Sequence, residues 1–73
     1  MIAEDSKDFE TIMKAVKSME DGDLQEILFA VELEKGGIEV QTLRNGSSYG
    51  WTLLVEIEPG GGVKVIKKGV WRT

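Results

Sequence analysis

Residues 46 to 50 read Gly-Ser-Ser-Tyr-Gly and fit the pattern G-x-S-x-G. In large α/β-hydrolases that pattern presents a nucleophilic serine on a tight strand-to-helix turn. The chemistry would be acyl transfer. Ser48 would attack a carbonyl, a histidine would take its proton, and amides at a helix N-terminus would hold the oxyanion. The surrounding residues supply none of these parts. The chain has no histidine, and the "WTLLVEIE" that follows Gly50 alternates like a strand. Asn45-Gly46 instead suits the positive φ angles of a hairpin turn, and the serines can bond loop backbone. The pentapeptide therefore reads as a polar hairpin loop.

Other candidate chemistry falls in the same way. "PGGG" before "VKV" lacks the G-K-[ST] ending and the following helix of a phosphate-binding loop. Glu56 and Glu58 share one face of a strand, where two carboxylates could do acid–base work or hold a cation. "EDGD" at 20–23 is rich in oxygen but lacks the spacing of a twelve-residue calcium loop, so it reads as a helix end and loop. Without cysteine or histidine, neither a disulfide nor a Cys/His zinc site can staple the chain. The expectation is a protein with no catalysis, metal or cofactor of its own.

Binding chemistry is better represented. Tyr49, Trp51 and Trp71 lie in the same half of the chain as Arg44, Lys64, Lys67, Lys68 and Arg72. Aromatic rings among cations on a sheet can stack bases and neutralise phosphates, so single-stranded nucleic acid is the alternative partner. That reading rests on Arg44, Tyr49, Lys64, Lys67, Lys68, Trp71 and Arg72. Trp51 falls in register with Leu53, Val55 and Ile57 and is expected in the core instead.

The elements that would position these residues begin with a helix. "SKDFETIMKAVKSMED" sets Phe9, Ile12, Met13, Val16 and Met19 on one stripe, with Asp5 or Ser6 to cap it and Gly22 to stop it. Residues 24–35 fit two patterns. Asp23 and Glu26 resemble a helix capping box, but Ile27, Phe29, Val31 and Leu33 share one face at period two. A strand over 26–34 is preferred. "IEVQTLR", "WTLLVEIE" and "VKVIKKGVW" supply three more strands, with a bulge or bend expected at Gly69. The predicted fold is α+β, one N-terminal helix on a four-stranded antiparallel meander, in a single domain over residues 1–73. The alternative is two helices followed by a three-stranded sheet.

One helix covers one face of such a sheet. Leu28, Ala30, Leu43, Leu54 and Ile66 fall on the other face, and an uncovered apolar set of that size points to an interface. A chain of 73 residues buries only about 60% of its unfolded surface, so a second copy would also enlarge a marginal core. The residues expected at the partner surface are Leu28, Leu43, Leu54 and Ile66. Lysines on the last strand look like protection of an exposed edge.

The net charge of −4 argues against general affinity for nucleic acid, but it is unevenly spread. Residues 1–36 carry ten acids and four lysines, whereas residues 37–73 carry three acids and five bases. "MIAEDSKDFE" is acidic and no run approaches the roughly 20 apolar residues of a membrane span, so a cytoplasmic location is expected. The function expected is a small binding module that occupies a protein surface, of the inhibitor, immunity or adaptor type, including those of phages and mobile elements. It is expected to form a homodimer. A small-ligand binder is a further alternative.

Overall fold

Helix α1 spans Lys7–Ser18 in the computed structural model, which describes all 73 residues. Ser6 caps it by accepting from the Phe9 amide at 3.2 Å, and Asp8 and Glu10 face the positive end of the helix dipole. Phe9, Ile12 and Val16 form the buried stripe, with Met19 packed beside it. Met13, expected on that stripe, points outward. At the other end Lys17 donates to the backbone carbonyl of Gln25, which ties the helix to the first strand. Gly22 then passes so close to the helix that a Cβ would lie 1.7 Å from the Val16 carbonyl oxygen. A short 3-10 turn, Gly22–Leu24, follows.

Four strands complete the fold: β1 (Gln25–Glu32), β2 (Ile38–Arg44), β3 (Tyr49–Ile57) and β4 (Val63–Arg72). They pair antiparallel in chain order, with α1 across one face. The expected α+β meander is therefore present. Gln25–Glu32 is extended, which removes the two-helix alternative. No helix is long and apolar enough to cross a membrane.

The core lies between α1 and the inward residues of the sheet: Ala30 on β1, Ile38 and Val40 on β2, and Trp51, Leu53 and Val55 on β3. Ile2 closes its edge, held by a bond from its amide to the Ala30 carbonyl at 2.7 Å. A polar knot sits at one end. The Thr42 hydroxyl accepts from the Trp51 amide at 3.0 Å and donates to Gln25 Oε1 at 2.7 Å. Gln25 and Thr42 are both buried, and no buried side-chain polar atom lacks a partner.

Two bulges alter which residues face the core. Ile27 pairs with Thr42 and Phe29 with Gln41, so Leu28 is an extra residue in β1. Alternation reverses there. Ala30 turns under the helix with 0% exposure, while Phe29 and Val31 move to the opposite face. Unbroken period-two alternation places these three the other way round and carries the strand through Leu33, which instead lies exposed just beyond it. On β4, Val65 pairs with Val55 and Lys67 with Leu54, so the extra residue is Ile66. The bulge is there and not at Gly69, which pairs regularly with Thr52. The reversal puts Lys68 on the helix side, where its Nζ lies 4.0 Å from the centre of the Trp51 ring.

Candidate protein-binding face

The face of the sheet away from α1 has no element over it. Register places Phe29 and Val31 of β1, Leu43 of β2, Leu54 of β3 and Trp71 of β4 on it. Each is half-buried, shielded only by its neighbours on the same face. Leu28 and Ile66, the two bulge residues, are 46% and 47% exposed and sit on the two edge strands. Of the four residues expected at a partner surface, Leu43 and Leu54 thus lie within the face and Leu28 and Ile66 at its two edges. Ala30, expected beside them, is core. Phe29 and Val31 are added by the bulge, which no glycine or proline marks in "ILFAV".

The face has a depression. Gly69 has no side chain opposite Thr52, and with Leu54, Lys67 and Glu39 it borders a hollow of about 380 Å³. Its charges are divided. Glu26 and Glu39 stand on β1 and β2, Glu56 on β3, and Lys64 and Lys67 on β4.

Trp71 is anchored, not loose. Its Nε1 donates to the Thr42 backbone carbonyl at 2.8 Å, and its strand partner is Gly50. The indole therefore reaches across β3 to β2. Gly50 is required at that crossing, because a Cβ there would lie 1.8 Å from the same carbonyl oxygen.

The basic and aromatic residues do not form one surface. Lys64, Lys67 and Trp71 belong to the open face, while Arg44, Tyr49, Lys68 and Arg72 belong to the helix side. There Arg44 and Arg72 flank Tyr49, with Cζ 6.0 and 5.8 Å from the ring centre. Ser48 lies in the exposed hairpin loop, its carbonyl accepting from the Thr73 amide and hydroxyl, and strand β3 follows it. No three acidic side chains converge as a cation site would need. Glu56 is paired across the ladder with Lys64, and Glu58 lies in the turn beyond β3. Compared with protein-family models, curated proteins and solved structures, the chain matches none of them.

Proposed function

We propose that the protein is a non-catalytic binding module that works by covering a protein surface with the open face of its sheet, and that the same face joins two copies of the chain. The observation that carries this reading is the band of Phe29, Val31, Leu43, Leu54 and Trp71, half-buried and covered by nothing. Apolar area of this kind gains roughly 25 cal/mol per Å² when it leaves water. Four strands about 4.8 Å apart, each with about seven residues, give roughly 450 Å² of projected face per copy. Two such faces bury roughly 900 Å², below the range of stable interfaces and within that of weak, transient ones, which fits a weak dimer.

The charges favour one arrangement. A two-fold axis lying between the sheets and parallel to the strands sets β1 of one copy over β4 of the other. Glu39, level with Lys67 along the strands, then meets the basic β4 side, while Glu26 lies at the Trp71 end of the face. An axis across the strands would set lysines against lysines.

Trp71 reports on this face directly. Its emission shifts to the red on dilution through the micromolar range as the partner leaves, whereas Trp51 is 6% exposed and stays constant. Replacing Trp71 by Phe removes the shift. Emission that does not change with concentration would contradict the proposal.

A further inference from the structure

On the helix side of β2, β3 and β4, Arg44 and Arg72 meet at Tyr49, and Lys68 stands over Trp51, two residues further along β3. None of them has a carboxylate partner, since the one ion pair in the molecule is Lys14–Glu10. The sequence explains why. No Asp or Glu occurs between Glu39 and Glu56, nor after Glu58. The strands that carry these three cations therefore have no acid on that side, and Asp21 and Asp23, in the turn that leads to Gln25, the strand partner of Arg44, make no ion pair with it.

We infer that this corner is a second binding site, which takes the paired carboxylates of an acidic segment on a partner protein. A guanidinium held against an aromatic ring loses little further freedom on binding and still offers its N–H fork to an oxygen pair. Arg44 places one N–H toward the Ser47 hydroxyl at 3.5 Å, and the Arg72 guanidinium makes no hydrogen bond within the chain. The same contacts argue against bases stacking here. Both guanidinium groups lie within 6.0 Å of the Tyr49 ring centre, Trp51 lies buried beneath Lys68, and Trp71 is on the far face with its N–H engaged. That leaves Tyr49 as the one ring in the corner a base could reach, with two cations already beside it. None of the four surface hollows includes Arg44, Tyr49, Lys68 or Arg72, so the site suits an extended chain and not an enclosed small molecule. It lies across the sheet from the open face and does not depend on it.

The test is fluorescence anisotropy with two labelled probes of equal charge, a hexaglutamate peptide and a seven-nucleotide oligothymidylate. Wild type is compared with Arg44→Gln/Arg72→Gln and with Lys64→Gln/Lys67→Gln, which carries the same net charge. The peptide binds wild type at low salt and dissociates at about 0.3 M salt. The arginine pair variant loses about tenfold in affinity, the lysine pair variant less than about twofold. Arg44→Lys/Arg72→Lys keeps the charge without the fork and falls between. Thermal melting confirms that each variant folds, and sedimentation of the arginine variant reads the dimer separately. No peptide binding, equal losses in both Gln variants, or a clear preference for the oligonucleotide would overturn the inference. The last outcome would make the corner a nucleic-acid surface.

Discussion

Trp71 and Thr42 are 29 residues apart in sequence, yet the indole Nε1 of one donates to the main-chain carbonyl of the other at 2.8 Å. The bond crosses β3 above Gly50 and fastens the edge strand β4 to the central strand β2. Beside it the Trp51 amide donates to the Thr42 hydroxyl at 3.0 Å. Trp71→Phe keeps most of the packing and loses the donor, which lowers stability by about 0.5–1.5 kcal/mol. Gly50→Ala forces backbone apart and costs more, about 3 kcal/mol or above. Chemical denaturation followed by far-UV circular dichroism measures both. Equal stability of Gly50→Ala and wild type would contradict this account of the crossing.

The Thr42 hydroxyl holds two buried partners, the Trp51 amide and Gln25 Oε1. Thr42→Val keeps the shape and orphans both, at about 1–3 kcal/mol for each group. Thr42→Ser keeps the hydroxyl and costs about 1 kcal/mol for the lost methyl. Pairing Thr42→Val with Gln25→Met leaves only one orphan, so the double variant is more stable than the two single losses predict. Strict additivity would mean that the two side chains do not share the bond.

The bulge at Leu28 makes Ala30 core and Phe29 surface. Ala30→Leu overpacks the sheet against α1 and costs about 1–3 kcal/mol or more. Phe29→Ser changes stability far less and weakens association instead. Melting temperature and oligomeric mass, measured together, separate the two effects. A large loss of stability at Phe29 with tolerance at Ala30 would restore the unbulged register.

That register marks the limit of what the sequence makes visible. The helix reads clearly because Phe9, Ile12 and Val16 recur at helical spacing behind a serine cap. Strand β3 reads clearly because Trp51, Leu53 and Val55 alternate with Thr52, Leu54 and Glu56. In "ILFAV" every position is apolar, so neither choice of inward face puts a polar group in the core, and the bulge leaves no mark. The bulge at Ile66 is hidden for another reason: Lys67 and Lys68 follow one another, so either register puts a lysine on each face, and the bulge only exchanges which lysine faces the helix. The grouping of Arg44 with Arg72 around Tyr49 depends on pairing across three strands, which sequence spacing does not carry.

Gly69 leaves the open face hollow, and its backbone does not need glycine, since its φ is not among the positive ones. Gly69→Val fills the hollow with a residue that suits a strand. Stability rises by about 0.5–1 kcal/mol, while association weakens because the added side chain stands up from the face that meets the second copy. Thermal melting at a concentration low enough to keep both proteins monomeric reads the first effect. A variant that associates as well as wild type would show that the hollow is not part of the interface.

Sedimentation equilibrium of wild type and Leu54→Asp, at tens of micromolar, tests the central claim most directly. Leu54 lies on the open face and its side chain is half-exposed, so the aspartate is tolerated in the monomer. Wild type is predicted to show a mass rising toward two chains with concentration, and Leu54→Asp the mass of one chain with an unchanged circular dichroism spectrum. A wild-type mass of one chain throughout, or a dimer that Leu54→Asp leaves intact, would contradict the assignment of this face as the binding surface.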